Sequence, residues 1–120
     1  MKRILVVDDS PTVRQQVEAA LTPAGYLVVT AEDGIIGLDV LRQGSFALVI
    51  CDVNMPRMSG LDMVEQLRRE PQHAETPVVM LTTEGQPALV ARAKKAGVRS
   101  WIIKPFKADL LLAAVNKFTG

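Results

Sequence analysis

The sequence predicts an α/β domain in which five parallel strands are covered by helices on both faces. Three observations predict it. Five short apolar runs alternate along the 120 residues with stretches whose apolar residues recur at helical spacing. The connections are short, so each strand returns through a helix, and crossovers of that kind are right-handed. The run Phe46-Ala47-Leu48-Val49-Ile50-Cys51 is apolar at every position, which reads as a strand buried on both faces.

Each element has its own signal. Ile4 to Val7, rich in β-branched residues, is the first strand, and Asp8-Asp9-Ser10-Pro11 ends it. Pro11 suits the first helical position with Ser10 as cap; Val13, Val17, Ala20 and Leu21 share a helical face, and Pro23-Ala24-Gly25 closes the helix. Tyr26 to Thr30 is the second strand. Asp33-Gly34 opens a helix lined by Ile36, Val40 and Leu41 and stopped at Gly44. The third strand ends at Asp52. A loop through Pro56 leads to Ser59, which caps a helix carrying Leu61, Val64 and Leu67. Pro77 to Leu81 is the fourth strand, and Pro87 opens a helix ending at Gly97. Arg99 to Ile103 is the fifth strand. The last helix places Leu111, Ala114, Val115 and Phe118 on one face. For five such units the doubly wound, flavodoxin-like strand order 2-1-3-4-5 fits best.

Composition narrows the class. Hydrophobic residues make up 48%, charged residues 22%, and the formal net charge is +1. Those values describe a globular domain rather than a disordered tail or a general nucleic-acid binder. The apolar runs are too short for a membrane span, and the N-terminal one stops at two aspartates, unlike a signal peptide. A cytoplasmic protein is expected. The single cysteine, Cys51, excludes an intramolecular disulfide and a multi-cysteine zinc site.

The chemistry collects past the strand ends, where open parallel sheets bind ligands. Asp8 and Asp9 follow the first strand, Asp52 the third, Thr82 and Thr83 the fourth, and Lys104 the fifth. In the order 2-1-3-4-5 these side chains share one rim. Clustered carboxylates raise each other's pKa unless a cation joins them, and oxygen-only ligands favour Mg2+. An aspartate can itself be the nucleophile that forms an aspartyl phosphate, with Lys104 and the Thr82 hydroxyl on the remaining phosphoryl oxygens. No glycine-rich phosphate loop follows the first strand.

Val6-Val7-Asp8-Asp9-Ser10, Cys51-Asp52-Val53-Asn54-Met55-Pro56 with Met58-Ser59-Gly60, Leu81-Thr82 and Lys104-Pro105-Phe106 resemble the motifs of the receiver domain of two-component response regulators. The resemblance covers residues 1–120 as one domain, and it is closest to the single-domain, chemotaxis-type regulators. It implies that Asp52 accepts a phosphoryl group from a phosphohistidine of a sensor histidine kinase. It implies Mg2+ held by Asp8, Asp9, Asp52 and the backbone carbonyl of Asn54, with Lys104 on the phosphoryl group. Thr82 and the aromatic Trp101 match the family's switch pair, although the usual aromatic there is Tyr or Phe. Asn54 and Glu84 match positions that tune dephosphorylation. The Lys104–Pro105 bond is cis in the family. The resemblance also implies that a downstream protein docks on helix four, strand five and helix five, roughly Gln86–Gly97, Arg99–Ile103 and Lys107–Phe118. No direct nucleic-acid contact or membrane insertion is implied, and the expected state is a monomer or weak dimer.

Other residues read more plainly. His73 is expected to be a solvated loop residue, Cys51 a small buried hydrophobe, Met55 and Met58 gap fillers, and Lys94 and Lys95 a solvated helix face. Two rival functions remain open at this level. One is an aspartyl-phosphate phosphohydrolase acting on small molecules, which would need a substrate-enclosing cap. The other is a degenerate binding module that is never phosphorylated.

Overall fold

The computed structural model describes residues 1–120 and has the predicted architecture. The strands are β1 (Arg3–Val7), β2 (Leu27–Ala31), β3 (Leu48–Cys51), β4 (Val78–Thr82) and β5 (Ser100–Ile103). The helices are α1 (Pro11–Leu21), α2 (Gly34–Arg42), α3 (Gly60–Leu67), α4 (Pro87–Lys95) and α5 (Ala108–Thr119). All four strand pairings are parallel and the order is β2-β1-β3-β4-β5. No helix is long and apolar enough to cross a membrane.

Alternation along the strands divides the core in two. Leu5, Val7, Val49, Cys51, Val78 and Met80 face α2 and α3, where Leu38, Leu41, Leu61, Val64 and Leu67 cover them. Ile4, Val6, Leu48, Ile50, Val79 and Leu81 face α1 and α5, covered by Val17, Leu21, Leu111 and Val115. Helix starts follow the expected chemistry. The Ser10 hydroxyl accepts from the Val13 amide at 3.3 Å with Pro11 at the first helical position, and the Ser59 hydroxyl accepts from the Asp62 amide at 3.1 Å. Gly25 and Gly97, past the ends of α1 and α4, have φ of 94° and 76°, where a side chain would be strained.

Several expectations need correcting. β2 runs one residue later than expected, because Tyr26 is drawn to α5, where its hydroxyl meets Asn116 and Thr119. β4 likewise begins and ends one residue later, and β5 starts at Ser100. On α2, Leu41 is buried and Ile36 and Val40 pack half-buried against the same core as expected, and Gly37 and Leu38 complete the buried face. A β-carbon at Gly37 would stand 2.9 Å from the Met63 sulfur and 3.1 Å from a Val7 methyl, so the helix packs closely through its glycine. Hydropathy does not register a glycine contact of that kind. His73 is the clearest correction: it is 2% exposed, not solvated. Its Nε2 lies 2.7 Å from the Leu41 carbonyl and its Nδ1 3.1 Å from the Thr76 hydroxyl, so the ring joins the 3₁₀ turn at Pro71–His73 to the end of α2.

Candidate functional site

The parallel register brings the ends of β1, β3, β4 and β5 to one edge, and the loops leaving them carry the expected residues. Val7 is level with Cys51, so Asp8 and Asp52 leave neighbouring strands side by side. One carboxylate oxygen from each of Asp8, Asp9 and Asp52 can be chosen so that all lie within 4.8 Å of one another. Asp8 and Asp52 are buried, whereas Asp9 is exposed. The Lys104 ammonium donates to both buried carboxylates, at 2.7 Å to Asp8 Oδ2 and 2.8 Å to Asp52 Oδ2.

Electrostatics fit that arrangement. Burial pushes the Asp8 carboxyl above the usual aspartate range, only partly countered by the hydrogen bonds from Lys104 and the Ser10 amide. Burial works against the Lys104 ammonium as well. The hydrogen bonds to Asp52 and Asp8 outweigh it, and its pKa lies above the ordinary lysine value. Two of the three carboxylates therefore share one ammonium and Asp9 lies beside them, so the remaining negative charge suits a hard, oxygen-preferring cation.

Neighbouring groups hold the carboxylates in place. Asp8 Oδ1 accepts from the Ser10 amide at 2.9 Å, and Asp52 Oδ1 accepts from the Val53 amide at 2.7 Å. The Arg14 guanidinium, on α1, donates to the Asp8 carbonyl at 2.7 Å. Nothing in the sequence marks Arg14, because its position is an ordinary polar one on a helix. The thiol of Cys51 is buried and contacts the Asp52 carbonyl at 3.1 Å, and burial raises its pKa well above the usual value. It is a packing residue, as expected. Met55 and Met58 are half-buried against the α2–α3 side of the core.

The β4–α4 side is tied together through Glu84. The Thr82 hydroxyl, fully buried, accepts from the Glu84 amide at 3.2 Å. The Trp101 indole donates to the Glu84 carbonyl at 2.8 Å, and the Glu84 carboxylate accepts from the Asn54 amide group at 2.6 Å. Asp8, Asp9, Asp52 and Lys104 thus form one cluster. Asn54, Thr82, Glu84 and Trp101 form a second, joined to the first through the loops. In this structure the Asn54 side chain is engaged with Glu84 and the Thr82 hydroxyl with backbone. The Lys104–Pro105 peptide is cis.

Comparison with known proteins is consistent with this geometry. Residues 4–116 match the family profile described as response regulator receiver domain. The chain is 41% identical over 120 residues to a chemotaxis protein CheY homolog of Campylobacter jejuni, covering 98% of this chain and 92% of that protein. Among solved structures, chemotaxis protein CheY4 of Vibrio cholerae superposes with a TM-score of 0.93 at 40% identity, covering 98% of both chains. TrrA of Thermotoga maritima, solved in complex with Mg2+ and BeF, superposes with a TM-score of 0.88 at 33% identity, covering 98% of this chain and 99% of that one.

Proposed function

The chain belongs to the response regulator receiver domain family, and from that premise we propose that residues 1–120 form one CheY-type signalling switch phosphorylated on Asp52. The observation that carries the reading is the Lys104 ammonium shared by the buried carboxylates of Asp8 and Asp52, with Asp9 beside them. A carboxylate oxygen of Asp52 attacks the phosphorus of a kinase phosphohistidine. The P–N bond breaks, the imidazole leaves with its electron pair and takes up a proton, and an acyl phosphate remains. Lys104 moves from bridging two carboxylates to holding a phosphoryl oxygen.

Asp8, Asp9, Asp52 and the Asn54 carbonyl are the residues that would hold Mg2+, and the all-oxygen donor set fits that ion. When bound, Mg2+ offsets the charge gathered on the phosphoryl oxygens. The Thr82 hydroxyl is the one side-chain hydrogen-bond donor on β4, and this reading assigns it to the new anion. The hydroxyl now accepts from the Glu84 amide and keeps its own proton free to donate, so its movement toward the anion would pull on Glu84, which also holds Asn54 and Trp101. Phosphorylation adds roughly −1.5 to −2 charges and thereby biases the position of this loop. Asn54 and Glu84, bonded to each other at the mouth, tune hydrolysis by controlling how water reaches the phosphoryl group. The output surface is α4–β5–α5, which exposes the large apolar side chains Ile103 and Leu110 to a downstream protein. The switch acts in the cytoplasm, as a monomer or weak dimer, without touching nucleic acid or inserting in a membrane.

Intact mass after incubation with acetyl phosphate and Mg2+ tests the reading, with Trp101 fluorescence recorded alongside. Wild type gains one hydroxylamine-labile phosphoryl group, only when Mg2+ is present, and Asp52→Asn gains none. If wild type gains none, beryllofluoride is the next ligand, and silence toward both refutes the switch. Repeated turnover of an added phosphate ester would instead favour a phosphohydrolase.

A further inference from the structure

The loop from Asp52 to Ser59 carries two of the site's residues yet contains no helix or strand. Its ends are closed where the Gly60 amide donates to the Val53 carbonyl at 2.9 Å. Its tip is held differently. Arg57 has φ of 67°, the one non-glycine residue of the chain in the left-handed region, which a β-carbon makes unfavourable and which Gly or Asn adopts more readily. From that backbone its guanidinium reaches Asp33 in the β2–α2 loop, with Nε and Nη2 at 2.9 and 2.8 Å from Oδ2. Asp33 is no mobile surface partner. Its side chain is buried, and its other oxygen accepts from the Ile36 amide at 3.0 Å and caps α2. Beside the pair, Met58 lies so close to Gly34 that a β-carbon there would stand 2.9 Å from its Cγ and 3.0 Å from its carbonyl oxygen. The tip of the loop is therefore docked on the start of α2 by one ion pair and one close contact.

An unfavourable backbone is held only where its surroundings over-determine it. Here the arginine side chain supplies that restraint, and a glycine at the same place would be unstrained but unattached. We propose that Arg57, acting through Asp33, is a positioning residue for the chemistry at Asp52. It fixes the loop tip, and through it the Asn54 backbone three residues upstream, before any cation binds. The proposal rests on the Mg2+ reading of the site. A loop held in one shape loses little freedom when Asn54 becomes a ligand, whereas a released loop must be ordered by the ion and binds it more weakly.

The test uses wild type, Arg57→Asn, Asp33→Ser and the double variant. Asn tolerates the left-handed conformation, and Ser caps a helix as Asp does but is too short to reach Arg57, so both changes delete the ion pair and keep the backbone roles. Mg2+ affinity is measured by titration calorimetry, and amide exchange of residues 53–59 is followed without metal. Each single variant is expected to bind Mg2+ roughly three- to tenfold more weakly, as outer partners of a metal site and half-exposed ion pairs do. The double variant should be no weaker than the singles, exchange in the loop should quicken, and the denaturation midpoint should move little. Unchanged Mg2+ affinity in the single variants overturns the proposal, and if exchange has quickened the pair is merely a brace. Additive losses in the double variant overturn it also, because the two residues would then act separately. Wild type that binds no Mg2+ overturns the metal reading and the proposal with it, a result told apart from the others by the wild-type titration itself.

Discussion

Gly60 offers the sharpest test of how the site is built. It is the first residue of α3, its φ is not left-handed, and nothing in its backbone conformation demands glycine. What demands glycine is space: a β-carbon would stand 1.8 Å from the Asp52 carbonyl oxygen, 2.7 Å from the Cys51 sulfur and 2.8 Å from the Asp52 carbonyl carbon. The nearest obstacle is backbone at the buried end of β3, which cannot rotate away. In Gly60→Ala the start of α3 must retreat by more than about 1 Å, at the upper end of the 1–3 kcal/mol typical of overpacking. The retreat also stretches the Gly60–Val53 hydrogen bond, and alanine's helix preference of up to about 1 kcal/mol offsets part of the loss. A net cost of about 2–3 kcal/mol corresponds to a Tm lower by roughly 10 °C in a domain of this size. Thermal and urea denaturation followed by circular dichroism measure it, with Gly37→Ala as the control. There the obstacles are the Met63 thioether at 2.9 Å and Val7 methyls at 3.1 and 3.3 Å. The thioether can turn aside, so the expected loss is below about 1 kcal/mol. Gly60→Ala within about 0.5 kcal/mol of wild type, or milder than Gly37→Ala, would refute the steric argument.

Two further outcomes follow from the electrostatics. Because burial raises the Asp8 carboxyl, the folded chain holds that proton more tightly than the unfolded one. Asp8 therefore lowers metal-free stability as pH climbs from the ordinary aspartate value through the raised one, and Asp8→Asn removes that fall. Urea unfolding in chelator should show the stability of Asp8→Asn rising relative to wild type as pH climbs from the ordinary aspartate range to 7. A difference that is flat with pH, or that shrinks as pH rises, would contradict the raised pKa. Separately, α4 buries a single residue, Ala93, and is tied to α3 by Arg92, which reaches Glu65 at 2.6 and 2.8 Å and Asp62 at 2.6 Å. These groups are more than a third exposed, so solvent screening limits Arg92→Ala to a loss of up to about 1 kcal/mol, shrinking in high salt. A loss that ignores ionic strength would mean the side chain acts by packing.

Much of this was legible from residues alone, for physical reasons that differ between elements. Buried parallel strands must be apolar on both faces, so Leu48 to Cys51 stood out, and β1 and β4 did so almost as clearly. Caps are local chemistry, and Ser10-Pro11 and Ser59 marked helix starts to the residue. Strand edges were harder. Whether Tyr26 or Ala31 pairs with β1 depends on α5, which lies far off in sequence and attracts the tyrosine. His73 was misread for the same reason: the Leu41 carbonyl that its ring meets lies 32 residues away at the end of α2, and a histidine in a polar stretch carries no local sign of burial. The family resemblance marked the residues that gather at the strand ends but passed over Arg14, Arg57 and Arg68. Arg68 donates to the carbonyls of His73, Thr76 and Ala96 and so joins the ends of α3 and α4, yet nothing in its neighbours foretells it.

By itself the sequence determined the class of fold, the strand that carries Asp52, and which residues arrive at the strand ends. Periodicity, β-branched runs and turn chemistry are short-range properties, and the parallel topology they impose brings every such loop to one edge. The tertiary structure alone decided how those residues are used. It placed the Lys104 ammonium between Asp8 and Asp52, gave the Trp101 indole its carbonyl at Glu84, and docked Arg57 on Asp33. Each is a contact between segments distant in sequence, set by strand order and helix packing, and a hydrogen bond a few ångströms long leaves no trace in the spacing of residues that lie 17 to 96 positions apart.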